Sequence, residues 1–122
     1  MATVAVIGAS TDRRKFGNKA VRAFRARGYT VVPINPTATM VEGERAYASV
    51  LDYPGAIDEA TVYVPADVGV KVIAEIAAKR IKTVWLNPGA DDDVVIKKAR
   101  ASGLSPRVAC SIVGIGESPG RY

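Results

Sequence analysis

Seven basic side chains and no acidic one lie between positions 13 and 27: Arg13, Arg14, Lys15, Lys19, Arg22, Arg25 and Arg27. The first three follow Gly8-Ala9-Ser10-Thr11-Asp12, directly after an apolar run. A loop at that place, ahead of a helix, is suited to an anion, because the first N–H groups of the helix lack partners and its N-terminus carries partial positive charge. Gly8 would let a phosphate approach the backbone, and Ser10 and Thr11 supply hydroxyls. Arg13, Arg14 and Lys15 are therefore read as cations beside a phosphate-rich ligand. The other basic residues divide by helical phase. At 100° per residue Phe16, Ala20, Val21 and Phe24 share a core side, and Lys19, Arg22 and Arg25 fan over the opposite, solvated side.

Other chemistry is thinly represented. None of the 122 residues is histidine, which removes Ser-His-Asp and Cys-His catalysis and any phosphohistidine intermediate. The one cysteine, Cys110, can form no internal disulfide and is too few for a thiolate zinc site, which fits a reducing compartment. Asp91-Asp92-Asp93 is read as the acidic start of a helix rather than a metal site, because carboxylates are favoured at helix N-termini. No catalytic residue and no metal ligand is assigned. Lys plus Arg number 17 and Asp plus Glu 12, a formal net charge of +5, so partners lean anionic.

These residues must be positioned by a chain that alternates strands and helices. Residues 3–7, 30–34, 61–64 and 83–86 are β-rich and apolar, and a weaker fifth strand falls within 104–113. Pro33 weakens the second, since proline lacks a ladder donor. Helical patterns run over about 16–27, 67–80 and 91–102. In the second, Asp67 precedes a stripe of Val68, Val72, Ile73 and Ile76. The stretch 36–54, broken by Pro36, Gly43, Pro54 and Gly55, fits neither pattern, with Tyr47 to Leu51 its best ordered part. Strand–helix repeats at this spacing predict right-handed crossovers and a small doubly wound α/β domain over 1–122, with a mainly parallel five-stranded sheet and helices on both faces. No targeting or membrane-spanning segment is visible, and the reading is a cytoplasmic protein.

In such sheets ligands sit at the carboxyl ends of the strands. The loops there carry Gly8-Ala9-Ser10, Asn35-Pro36, Pro65-Ala66, Asn87-Pro88-Gly89 and Gly114-Ile115-Gly116. The dinucleotide fingerprint Gly-x-Gly-x-x-Gly would need glycines at 8, 10 and 13, and only Gly8 is present. The acidic residue expected at the end of the second strand is also missing, where Asn35-Pro36 stands instead. An NAD(P)-dependent or other nucleotide-using enzyme is therefore the alternative reading. Nucleic-acid binding through the basic helix is disfavoured, because the two Phe, five Tyr and one Trp scatter over predicted strands and turns instead of forming a stacking platform.

Several short segments together resemble the small single-domain CoA-binding proteins, related to the CoA-binding domain of succinyl-CoA synthetase α subunits. They are Val6-Ile7-Gly8-Ala9-Ser10, Lys15-Phe16-Gly17-Asn18-Lys19-Ala20-Val21-Arg22, Gly28-Tyr29 and Val32-Pro33-Ile34-Asn35-Pro36. Val41-x-Gly43, Tyr47-x-Ser49-Val50-Leu51, Val62-Tyr63-Val64-Pro65, Val84-Trp85-Leu86-Asn87-Pro88-Gly89 and Cys110-Ser111-Ile112 follow in order.

The resemblance implies a Rossmann-like fold and a binding module for coenzyme A or an acyl-CoA. Gly8, Ala9 and Ser10 would meet the phosphates with Lys15 assisting, and Asn35-Pro36 and Val64-Pro65 would flank the adenosine. Relatives often carry a lysine soon after the Asn-Pro pair. Here Thr37-Ala38-Thr39 stands there, so Arg13 or Arg14 is expected to substitute. Asn87, in the loop after the fourth strand, completes the expected site. The histidine-bearing second domain of the ligases has no counterpart in this sequence. Cys110 is read as a small apolar residue, with a mixed disulfide to the CoA thiol as the sharper alternative. A homo-oligomer is compatible with this reading.

Overall fold

The computed structural model describes residues 2–122. Five parallel strands form the main sheet: β1 (Thr3–Ile7), β2 (Thr30–Ile34), β5 (Glu59–Val62), β6 (Thr83–Leu86) and β7 (Ser105–Val108), in the order β2-β1-β5-β6-β7. The chain leaves β1 toward one edge and returns to build the other half, so strand order reverses between β1 and β5. The expected doubly wound, Rossmann-like architecture is present.

Alternation along each strand sorts the core into two layers. Val4, Val6 and Val31 pack on one face with Ala20, Val21 and Phe24 of helix α1 (Phe16–Ala26) and with Ile112 of the short α4 (Ser111–Gly114). Ala5, Ile7, Val32 and Ile34 pack on the other with Val72, Ile73 and Ile76 of α2 (Ala66–Ala78) and Val95 and Ala99 of α3 (Asp93–Ala101). Because both faces are covered, β1 reads as an unbroken apolar run rather than an alternating one.

Some expectations shift. The third sheet strand ends at Val62 rather than at 64, which releases Tyr63 and Val64 into the loop beyond it. Asp67 does not cap α2; Pro65 occupies that position and Asp67 sits inside the first turn. Phe16 and Val68, expected in the core, are exposed, and Gly69 takes the buried place next to Val68, against Val95. Asp92 does cap its helix, accepting from the Val94 N–H at 3.1 Å. The weak signal of β7 has a physical cause, since three of its four residues are exposed at the sheet edge.

The irregular stretch contains a hairpin and a 3₁₀ turn in place of a crossover helix. Strands β3 (Met40–Val41) and β4 (Glu44–Arg45) are joined by Glu42 and Gly43, both at positive φ (50° and 79°), the geometry of a two-residue primed turn. Val41 and Ala46 enter the α1-side core, and Val50, in the turn Val50–Asp52, enters the other. The segment thus wraps around the β2 edge. Tyr47 covers that edge by donating its N–H to the Pro33 carbonyl at 3.0 Å and accepting from the Asn35 N–H at 2.9 Å. The nitrogen of Pro33 faces this outer side, so its missing hydrogen removes no bond to β1. Among the described residues no helix is long and apolar enough to cross a membrane.

Candidate functional site

A cleft of about 510 Å³ opens at the carboxyl ends of β1 and β5, where strand order reverses. Its walls are Gly8, Ala9, Ser10, Lys15, Phe16, Gly17, Asn35, Tyr63, Val64, Pro65, Pro88, Gly89 and Ala90. Reversal points of parallel sheets leave such crevices because the loops on either side diverge to opposite faces.

The first loop is braced from several directions. Gly8 has φ +88°, and a Cβ there would lie 3.0 Å from the Tyr63 carbonyl oxygen and 3.1 Å from a Val64 methyl group. Glycine is needed on both counts. The N–H groups of Gly8 and Ala9 both donate to the Ile34 carbonyl at 3.2 Å, so they hold the turn and are not free donors. Asn35 clamps the second loop to the first, donating to the Ala9 carbonyl at 2.8 Å and accepting from the N–H groups of Thr37 and Ala38. Asn18, fully buried, donates to the Ser10 carbonyl at 2.9 Å and to Glu42 at 3.1 Å, and accepts from Arg22 Nε at 2.8 Å.

Helix α1 begins at this loop, and it begins open. Lys15 occupies the capping position, no side chain accepts from the first turn, and that turn contains no acidic residue. The backbone N–H groups of Phe16 and Gly17 have no partner among the described residues. Gly17 brings this start against β1. A Cβ on Gly17 would sit 2.1 Å from the Gly8 carbonyl oxygen, a contact no side chain can make. Close helix–strand packing is the task of the last glycine in the dinucleotide fingerprint, and in this chain it falls at position 17 rather than 13. The sequence contained the signal, since glycine is a poor helix former and one within a helical pattern points to a packing demand.

The expected cations separate. Lys15 lines the cleft and pairs with no carboxylate among the described residues. Arg14, whose side chain is 90% exposed, forms a two-point pair with Asp12 at 3.1 and 3.0 Å. Hydrogen bonds from the Arg14 side chain and N–H hold the Asp12 carboxyl down at about 2. Arg13 pairs with Glu42 at 3.7 Å. Neither arginine lines the cleft. Arg25 is exposed and Arg22 half-buried, on the side that helical phase assigns to solvent, and both are also engaged there: Arg22 with Asn18 and the Arg13 carbonyl, Arg25 with the Glu42 carbonyl at 2.6 Å. The Glu42 carboxyl is held below its ordinary range, first by the Asn18 amide and further by Arg13, Arg22 and Arg25.

Of the residues singled out from sequence, Gly8, Ala9, Ser10, Lys15, Asn35, Val64 and Pro65 come together in the cleft, while Thr11 and Pro36 stand outside its lining. Asn87 is 1% exposed and lies deeper. It donates to Thr61 Oγ1 at 2.7 Å and the Val62 carbonyl at 2.9 Å, and accepts from the Ser111 N–H at 2.8 Å. Ser111 Oγ in turn bonds Thr61 and the Tyr63 hydroxyl at 2.7 and 3.1 Å. This buried network ties the ends of β5 and β6 to α4, and burial pushes the Tyr63 hydroxyl above its ordinary value. A second chamber of about 210 Å³ lies beyond it, lined by Phe16, Tyr63, Asn87, Pro88, Cys110 and Pro119.

A parallel sheet with its crevice at the strand-order reversal, a glycine turn after β1 and an uncapped helix start is the arrangement of a Rossmann-type domain, a fold that holds ligands at such reversal points. Residues 2–116 match the family model described as CoA binding domain, and the chain belongs to that family. It is 39% identical over 82 residues, 66% of its length, to acetate–CoA ligase [ADP-forming] II of Archaeoglobus fulgidus, and the match spans 12% of that enzyme. A conserved hypothetical protein from Pyrococcus furiosus superimposes with a TM-score of 0.83 at 27% identity, covering 93% of this chain and 99% of that one. The dinucleotide forming acetyl-coenzyme A synthetase 1 of Ca. Korarchaeum cryptofilum, solved with phosphate and ADP, gives 0.77 at 28% identity, covering 88% of this chain and 25% of the synthetase. The chain is thus homologous to the CoA-binding part of ADP-forming acyl-CoA synthetases and spans a small fraction of their length.

Proposed function

We propose that the cleft binds coenzyme A, or an acyl-CoA, and that the domain acts as a binding module without a catalytic step of its own. The observation that carries this reading is the open start of α1, with Lys15 beside it, facing a cleft of about 510 Å³ at the strand-order reversal. The CoA diphosphate lies against Ser10, Lys15 and the free N–H groups of Phe16 and Gly17, where the helix dipole and the ammonium add. Gly8 and Ala9 shape the turn beneath it. Asn35 and Val64-Pro65 flank the adenosine, with Pro36 outside the lining. Arg13 and Arg14, already paired with carboxylates, contribute attraction at a distance rather than a direct clamp.

The titratable side chains in the cleft lining are Lys15 and Tyr63, and the Tyr63 hydroxyl is bonded to Ser111. That pair offers no poised acid and base, which supports binding over catalysis. The engagement of Arg22 and Arg25 by α1's own neighbours supports a small anionic ligand over nucleic acid. Titration calorimetry with CoA, NAD and NADP side by side tests the reading. CoA should bind most tightly, with an affinity that falls as salt rises. Tighter binding of either nicotinamide cofactor, or a salt-independent CoA affinity, would overturn it.

A further inference from the structure

The second chamber adjoins the main cleft through shared walls. Phe16, Tyr63 and Pro88 line both spaces, while Asn87, Cys110 and Pro119 belong to the chamber. Phe16 is 52% exposed, where helical phase would have buried it, and its ring stands at the junction of the two spaces.

The polar side-chain atoms of the chamber's Asn87 and Tyr63 are already taken. Asn87 has both ends of its amide engaged, by Thr61, Val62 and Ser111. The Tyr63 hydroxyl bonds Ser111. Phe16 has no polar side-chain atom, Pro88 and Pro119 have neither a polar side chain nor an N–H, and the Cys110 thiol is a weak donor. A polar group entering this space would lose water and find few side-chain partners there, which is unfavourable. An apolar group would gain from burial without such a cost.

We propose that this chamber is a subsite for the apolar acyl chain of a CoA thioester, so that the protein favours short acyl-CoA over free CoA. The inference rests on the CoA reading of the main cleft. The pantetheine arm, with its two amides, stays in that cleft, and its thioester end delivers the chain past Phe16 and Tyr63. A methylene occupies about the volume of a water, on the order of 30 Å³. Against a chamber of about 210 Å³, that sets roughly seven carbons as the longest chain it can hold.

The test is calorimetric titration of the full chain with CoA and with acetyl-, butyryl-, hexanoyl- and decanoyl-CoA. Each buried methylene should tighten binding by about three- to fourfold, with the gain stopping once the chamber is full. Cys110→Leu and Pro119→Phe reduce the chamber from two different sides. Each should flatten the chain-length series, bringing the acyl-CoA to CoA affinity ratio toward one. Thermal melts confirm that both variants fold, and Pro119, in a turn outside both cores, gives the second route should Cys110→Leu fail to fold. Equal affinity for CoA and butyryl-CoA, or a series unmoved by either variant, overturns the subsite and leaves the main cleft standing. Failure of CoA and every thioester to bind overturns the reading of the main cleft, and the subsite with it.

Discussion

Helices α1 and α3 both begin at the carboxyl edge of the same sheet, and they begin in opposite ways. The start of α3 is closed by its own chain: Asp92 caps it, Asp93 lies in its first turn, and Asp91 accepts from the Gly89 N–H at 3.2 Å. The start of α1 has no acceptor and no acid, and Lys15 holds the position where a capping side chain would stand. An uncapped helix start forgoes about 1 kcal/mol of stability. That deficit falls beside the cleft, where an external anion can supply the missing acceptor. The difference between the two starts therefore separates a helix end closed by its own chain from one that stays open at the cleft.

The contrast can be broken at several points. The largest effect is expected at Gly17. Gly17→Ala places a methyl against the Gly8 carbonyl, so α1 must move away; unfolding in urea should show a loss of about 1–3 kcal/mol, and calorimetry should find CoA binding abolished. Retained stability and affinity would mean that the helix has room to shift. Next is Lys15→Asp, which gives α1 the kind of cap α3 has. The free protein should gain about 0.5–1 kcal/mol, while CoA affinity drops roughly thirty- to a hundredfold, or about 2–3 kcal/mol. A stability gain with unchanged affinity would move the diphosphate elsewhere.

Asp92→Ala makes the reciprocal change. Chemical denaturation should show a loss of about 1 kcal/mol, with CoA affinity as in the parent. The smallest effect concerns the brace behind the open start. Glu42 has a lowered carboxyl value in the folded state, held there first by Asn18. Its contribution is complete above the ordinary carboxylate value and is lost as pH falls through the lowered one. The melting-temperature advantage of the parent over Glu42→Gln should therefore be full at about pH 6 and shrink on acidification toward about pH 3. An advantage independent of pH would assign the role of Glu42 to packing.

The alternation of strands and helices was legible because both faces of the sheet are covered, which makes β1, β2 and β6 largely apolar runs of strand length. The second crossover was not, since a segment that wraps a sheet edge and feeds two cores has no single period. Phase placed Ala20, Val21 and Phe24 correctly but not Phe16, because a first-turn residue at the cleft answers to the site rather than to the core. The charge of the first loop was legible, and its partition was not. Glu42, which engages Arg13 and Asn18, lies far along the chain on a hairpin whose docking no local pattern announces. Tyr63 and Val64 look like strand residues by composition. They line the cleft because pairing stops at Val62, and where a strand stops is decided by its neighbours.

The bracing of the first loop has a kinetic side. Gly8 and Ala9 are tied to Ile34, the Ala9 carbonyl to Asn35, and the Ser10 carbonyl to Asn18. Backbone that is already fixed has little left to lose when a ligand arrives, so association need not wait for a rearrangement and little ordering entropy is subtracted from the contact energy. A flexible phosphate loop would close over its guest and slow its departure. A rigid one admits its guest and lets it go with no loop movement as a slow step, at rates set by the contacts themselves.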